Sequence, residues 1–167
     1  MDIRIAGTVE DSIVDGPGLR FVVFVQGCPH HCEGCHNPET HDFSAGKLTT
    51  TNALYEMCME NPLCSGVTFS GGEPFCQPEA LYELGSRFKA AGKHLMCYSG
   101  WTFEELLKKS VREEYVGKLL SILDVLVDGR FDISKRSLSL LFRGSSNQRL
   151  IDVPASLTNG EAVELPE

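Results

Sequence analysis

Residues 20–36 read Arg20-Phe21-Val22-Val23-Phe24-Val25-Gln26-Gly27-Cys28-Pro29-His30-His31-Cys32-Glu33-Gly34-Cys35-His36. After its arginine, the run to Val25 is β-branched or aromatic at every position, which predicts a strand buried on both faces. Gly27 ends the run, and three cysteines follow at C-x3-C-x2-C spacing within eight residues. Pro29 and Gly34 favour the tight turns that three thiolates need to face one centre.

Further strands are expected downstream, each followed by an unusual loop. Residues 65–70 (SGVTFS) form a short strand ending at Gly71-Gly72, residues 93–99 (KHLMCYS) a second, and residues 123–127 a third ending at Asp128-Gly129. A last strand is expected within residues 148–153. Between them lie helical patterns. Residues 50–60 form one, and Pro78 suits the first turn of another, with Leu81, Leu84, Phe88 and Ala91 on one stripe. Thr102-Phe103-Glu104-Glu105 has capping-box spacing, and residues 113–121 complete the set.

Strands separated by helices imply crossover connections, hence an α/β fold with about five or six mostly parallel strands. A closed eight-unit barrel takes about 250 residues. The 167-residue chain is therefore expected to form an open partial (β/α) barrel, a single domain over residues 1–167. Its lateral gap would admit a large substrate. In such sheets chemistry gathers at the carboxyl ends of the strands, so the cysteine loop, Gly71-Gly72-Glu73-Pro74, Ser99-Gly100-Trp101 and Asp128-Gly129-Arg130 should share one rim.

The formal net charge of −8, with Lys and Arg scattered along the chain, argues against nucleic acid as a partner. The opening Met1-Asp2-Ile3-Arg4 has no apolar leader, and the longest apolar run, Phe21 to Val25, is far short of the roughly 18 residues a membrane span needs. A cytoplasmic protein is expected, with no membrane partner. Seven cysteines, an odd number, then read as metal ligands and buried thiols rather than a disulfide framework. Cys58, Cys64, Cys76 and Cys97 lack ligand spacing, and Cys58 and Cys97 suit burial in a helix and a strand.

Two centres fit the three-thiolate loop. A structural zinc would need a fourth ligand from His30, His31 or His36, giving a binding module without catalysis. A 4Fe–4S cube held by three cysteines leaves one iron open to another ligand. Zinc sites usually draw ligands as two separated pairs, and no second pair at that spacing is present, which favours the cluster.

At this point the sequence resembles the radical S-adenosylmethionine superfamily, and within it the glycyl-radical activating enzymes, most nearly the activators of anaerobic ribonucleoside-triphosphate reductase. The stretches that carry the resemblance are Asp15-Gly16-Pro17-Gly18-Leu19-Arg20, residues 27–40, Ser70-Gly71-Gly72-Glu73-Pro74, Val127-Asp128-Gly129-Arg130-Phe131 and Phe142-Arg143-Gly144-Ser145-Ser146-Asn147-Gln148. The resemblance implies a 4Fe–4S cluster on Cys28, Cys32 and Cys35, with S-adenosyl-L-methionine chelated at its free iron. It implies reductive cleavage of that cofactor to a 5′-deoxyadenosyl radical, which takes hydrogen from a glycine of the reductase. Flavodoxin or ferredoxin is the implied electron donor. Pyruvate formate-lyase, another glycyl-radical enzyme or a small molecule are alternative substrates.

The same resemblance assigns cofactor contacts to Gly71, Gly72 and Glu73 of the GGEP motif, Gly72 first among them. Glu73 either meets the cofactor ammonium or anchors its own loop, and anchoring is the preferred reading. Ser99 is expected to line the adenosyl pocket, and Asp128 to meet a ribose hydroxyl or hold a neighbouring loop. The residue before the third cysteine is often aromatic in the superfamily but is Gly34 here. The adenine contact is then expected from the backbone at Gly34 and Cys35 and from His36. Asp15 and Arg20, flanking a Gly-Pro-Gly turn, are expected to meet the substrate protein, and residues 143–148 to serve recognition or cap the sheet.

Overall fold

The structure is a computed structural model and describes residues 1–166. Its strands are β1 (Asp2–Ser12), β2 (Arg20–Val25), β3 (Lys47–Thr50), β4 (Gly66–Gly71), β5 (His94–Tyr98), β6 (Val125–Asp128) and β7 (Arg149–Asp152). Its α-helices are α1 (Thr51–Met59), α2 (Pro78–Ala90), α3 (Phe103–Ser110), α4 (Glu114–Ile122) and α5 (Val153–Asn159). One open sheet runs in the order β3-β1-β2-β4-β5-β6-β7. Its centre, β2-β4-β5-β6, is parallel. Antiparallel pairs flank it, β3-β1-β2 on one side and β6-β7 on the other.

The open α/β sheet is the architecture expected from the pattern, with seven strands where five or six were expected. The parallel centre and β7 were legible in the sequence, whereas β1 and β3 were not. Only Ile3, Ile5 and Ser12 of β1 are buried, and the four residues of β3 include none that are. Those strands are held by backbone ladder bonds, which leave no apolar period to read. The helix α5 was missed as well. It has seven residues and starts on a cap, Asp152 Oδ1 accepting from the Ala155 amide at 3.1 Å.

Alternation along the strands divides the buried residues between two faces. Phe21, Val23 and Val25 of β2 join Val67, Phe69, Leu95, Cys97, Leu126 and Ile151 in the large core against the helices, including Leu54, Leu81, Leu84, Phe88, Leu106 and Leu119. The opposite face carries Met96, Val125, Val127 and Leu150, packed by Tyr98 and Phe142. Among the described residues, no α-helix contributes to that second cluster. Irregular chain covers it, around Asp15 and around Phe142: Thr68 Oγ1 donates to the Asp15 carbonyl at 2.7 Å, and Tyr98 donates to the Phe142 carbonyl at 2.7 Å.

The capping box at Thr102 forms as expected, with Thr102 Oγ1 accepting from the Glu105 amide and Glu105 Oε1 accepting from the Thr102 amide, both at 3.1 Å. Among the described residues, no helix is long and apolar enough to cross a membrane.

Candidate active site

A cavity of about 420 Å³ opens at the carboxyl ends of the parallel strands. Cys28, Cys32 and Cys35 all line it, together with His36, Gly71, Gly72 and Ser99. The cysteine loop is folded back on its own base. The Gly27 amide donates to the Thr40 carbonyl at 2.7 Å and the Cys28 amide to the His41 carbonyl at 3.1 Å. Inside it, the Cys35 amide donates to the Cys32 carbonyl at 3.2 Å, a turn that brings the second and third cysteines together. All three cysteines are free thiols. Burial, above all other causes, pushes the Cys28 and Cys32 thiols up. Three free thiols edge one cavity, Cys35 Sγ accepting from the Asn37 amide at 3.4 Å, and thiols are the donors that an iron–sulfur centre takes.

Gly71 and Gly72 line the cavity, but packing also demands them. A Cβ on Gly72 would lie 2.4 Å from the Gly27 carbonyl oxygen, and one on Gly71, whose φ is +95°, would lie 2.6 Å from the Val25 amide nitrogen. Their loop thus crosses directly over the end of β2. The Gly72 amide donates to the Val25 carbonyl at 2.9 Å and the Glu73 amide to the Gly27 carbonyl at 2.8 Å.

Glu73 lies outside the cavity lining, where it is held by hydrogen bonds from neighbouring loops. Its carboxylate is fully buried and accepts from the Gly100 amide at 2.8 Å, the Phe75 amide at 3.0 Å and Ser99 Oγ at 3.0 Å. It also meets His30 Nε2 at 2.6 Å. One side chain therefore ties the cysteine loop, the GGEP loop and the loop after β5 to one another. The His30 ring sits edge-on to Trp101 with centroids 4.7 Å apart, and a Cβ on Gly100 would strike it at 2.4 Å. Position 100 is thus open only to glycine.

Asp128 is buried behind the rim and holds structure. It accepts from the Phe103 amide at 2.7 Å, capping α3, and from Arg149 Nε at 3.0 Å across the β6–β7 pair. That pairing raises the Arg149 guanidinium further above its ordinary value. Of the two readings for Asp128, the geometry matches the holding of a neighbouring loop.

Of the two residues expected to meet a substrate protein, Asp15 lines the cavity and Arg20 does not. Arg20 is fully buried, its guanidinium donating to the Val67 carbonyl at 2.7 Å, the Pro17 carbonyl at 2.9 Å and Thr68 Oγ1 at 2.8 Å. It pins the loop over the second sheet face and presents no surface to a partner. Gly34 is exposed and lies outside the cavity lining, its φ at +72°. A Cβ there would lie 2.7 Å from Ile133 and 3.4 Å from Phe131.

Phe131 was missed as a site residue. It lines the cavity from the loop after β6 and packs on His36 with ring centroids 5.0 Å apart. The aromatic group absent at position 34 thus stands beside it, supplied by another loop. No local spacing in the sequence links the two. Tyr98, at the end of β5, also lines the cavity, though its sequence context marks it only as strand. Of residues 143–148, Arg143, Gly144 and Gln148 line it too.

A family model described as a 4Fe-4S single cluster domain matches residues 14–151. The chain is 34% identical over 143 residues to the anaerobic ribonucleoside-triphosphate reductase-activating protein of Enterobacteria phage T4, covering 82% of this chain and 86% of that one. It is 32% identical over 147 residues to the protein of that name from Escherichia coli K12, covering 81% and 90%. It is 40% identical over 114 residues to the pyruvate formate-lyase-activating enzyme of Clostridium pasteurianum, covering 63% of this chain and 48% of that one. Among solved structures, the crystal structure of QueE from Escherichia coli superposes with a TM-score of 0.51 at 18% identity, covering 61% of this chain and 54% of that one, a likeness of fold. With three thiols on one cavity and these matches over most of its length, the chain belongs to the 4Fe-4S single-cluster family, among the radical S-adenosylmethionine activating enzymes of glycyl-radical proteins.

Proposed function

We propose that this chain activates an anaerobic ribonucleoside-triphosphate reductase by removing a hydrogen atom from one of its glycines. The observation that carries the reading is the meeting of Cys28, Cys32, Cys35 and the GGEP loop on one cavity at the strand ends. The reductase is favoured over pyruvate formate-lyase because the match extends over 86% and 90% of two reductase activators but 48% of a pyruvate formate-lyase activator. When bound, a 4Fe–4S cluster and S-adenosylmethionine supply the reductive cleavage that yields the hydrogen-abstracting radical.

In this reading Cys28, Cys32 and Cys35 are the ligands, and the protein's own work is placement. An ammonium needs acceptors, and the amides of Gly72 and Glu73 are already spent on Val25 and Gly27. Backbone carbonyls of the cavity-lining Gly71-Gly72 turn would receive the cofactor's amino group. Ser99 and Tyr98 border the cavity at the end of β5, and His36 with Phe131 forms an apolar wall for the adenine. Asp15 offers a carboxylate at the rim where a substrate segment enters. The protein works in the cytoplasm, and flavodoxin or ferredoxin supplies the electron.

The test is to reconstitute the protein anaerobically, reduce it, and add S-adenosylmethionine with the reductase. The expected products are 5′-deoxyadenosine and a glycyl-radical paramagnetic signal on the reductase. Cofactor cleavage that leaves the reductase without a radical would sink the reading.

A further inference from the structure

Reductive cleavage requires an electron from outside, and the main cavity is a poor entrance for it. In the reading above, that cavity is filled by the cofactor and by the glycine-bearing segment of the substrate. A second recess, of about 660 Å³, lies beyond its lining and is bordered by Trp101, Glu105, Lys108, Lys109, Arg112 and Glu113. Trp101 connects the two places. It borders the recess and its ring meets His30, which sits between Cys28 and Cys32 in the ligand loop. The recess is thus one aromatic pair away from the loop that carries the ligands.

Its charge is the opposite of the chain's. The net formal charge is −8, yet three cations fall within five residues here. Lys109 pairs with Glu113 at 3.1 Å and also stands 4.3 Å over the Trp101 ring, while Glu105 pairs with Arg130 at 3.7 Å. Both acids bordering the recess are therefore spent. Lys108 and Arg112 are exposed and, among the described residues, have no ion-pair partner. Between them Val111 is 83% exposed. An apolar point with unspent cations around it suits a brief, electrostatically steered encounter rather than a permanent interface.

We infer that the recess bordered by Trp101, Lys108 and Arg112 is the docking face for an acidic, low-potential electron-carrier protein, which delivers its electron past Trp101 and His30. In each encounter the carrier is oxidised by one electron and the iron–sulfur centre is reduced by one. The inference rests on the proposed function, since it presumes a centre that must be reduced.

The experiment compares wild type with the double variant Lys108→Glu/Arg112→Glu and with Lys47→Glu, a charge change on the distant strand β3. Binding of oxidised flavodoxin to the protein is titrated at low and high salt. The rate of iron–sulfur bleaching is followed with reduced flavodoxin and, separately, with dithionite, a small reductant that needs no docking. The expected result is a loss of about tenfold or more in flavodoxin affinity and flavodoxin-driven reduction for the double variant, with dithionite-driven reduction retained. Wild type should weaken with salt, and the double variant should respond little. Unchanged flavodoxin binding, an equal loss for Lys47→Glu, or an equal loss with dithionite would each overturn the inference. So would a loss of reductase binding with flavodoxin binding intact, which would give the recess to the substrate protein. If wild type forms no reducible iron–sulfur centre at all, the proposed function itself fails.

Discussion

His30 Nε2 stands 2.6 Å from Glu73 Oε1, and both side chains are withdrawn from water, 5% and 0% exposed. That contact fastens the cysteine loop to the loop that crosses over β2. Removing Glu73 leaves His30 Nε2 without its buried partner, whereas removing His30 leaves Glu73 its other donors, and an unsatisfied buried group costs about 1–3 kcal/mol. Glu73→Ala should be the more damaging change, because Ser99, the Gly100 amide and the Phe75 amide lose their acceptor together. Ser99→Ala removes one of those bonds and should cost about 1 kcal/mol. Urea denaturation of the metal-free protein orders the two variants, and equal losses for Glu73→Ala and Ser99→Ala would refute the shared anchor.

The ligand assignment separates the seven cysteines into two groups. Cys28→Ser, Cys32→Ser and Cys35→Ser should each lose stable iron and sulfide after anaerobic reconstitution. Cys58→Ser should keep both, since Cys58 sits in the large core with its sulfur 3.7 Å from that of Cys64. Iron and sulfide analysis reads the outcome directly.

Space alone predicts an order among glycine substitutions. Gly100→Ala drives a Cβ into the His30 ring, and Gly72→Ala drives one into the Gly27 carbonyl. Overpacking of this kind typically costs about 1–3 kcal/mol, and here it displaces the ligand loop as well. Gly7→Ala meets nothing within 4 Å and should be close to neutral. Thermal melts paired with iron retention would show whether the two crowded positions fail together.

Arg20 offers a prediction opposite to the one its sequence position invites. As a surface contact it would affect partner binding and leave stability alone. Buried on carbonyls of Pro17, Val67 and His94, it should instead cost about 3 kcal/mol or more when changed to alanine. Arg20→Lys should rescue little, because a single ammonium cannot reproduce the planar fork. A denaturation midpoint unmoved by Arg20→Ala would contradict this.

Burial also fixes a response to alkali. The Cys58 and Cys76 thiols are pushed up to about 12, and Cys97 is pushed up as well, from an ordinary value near 9. The unfolded chain therefore releases those protons first, so stability should be level below pH 9 and should fall as pH climbs from 9 towards 12. The denaturant midpoint at pH 8 and pH 10.5 measures it. In the same folded, metal-free protein, Cys58 and Cys97 should resist alkylation at pH 8, because the thiolate is the reactive form.

The legible parts of this molecule were those written in one continuous stretch. The strand of residues 20–25, the capping box at Thr102 and the cysteine loop each carry their signal locally, and each is found in the structure. What the sequence leaves unread depends on partners far along the chain. Arg20 and Thr68 are 48 residues apart, and His30 and Glu73 are 43 apart. Phe131 stands beside Gly34 because the loop after β6 reaches the loop after β2, which no spacing rule encodes. The edge strand β3 escaped notice for a different reason: its residues bury nothing, so only its ladder bonds define it.

The layering of the sheet bears on how such a protein can change over time. Its helices and the large core share one face, while the face beneath the cavity is covered by irregular chain near Asp15 and Phe142. Substitutions, insertions or deletions in those two segments reshape the mouth without disturbing the helix-packed interior. Selection can therefore rewrite which macromolecule is admitted while the machinery underneath is inherited intact.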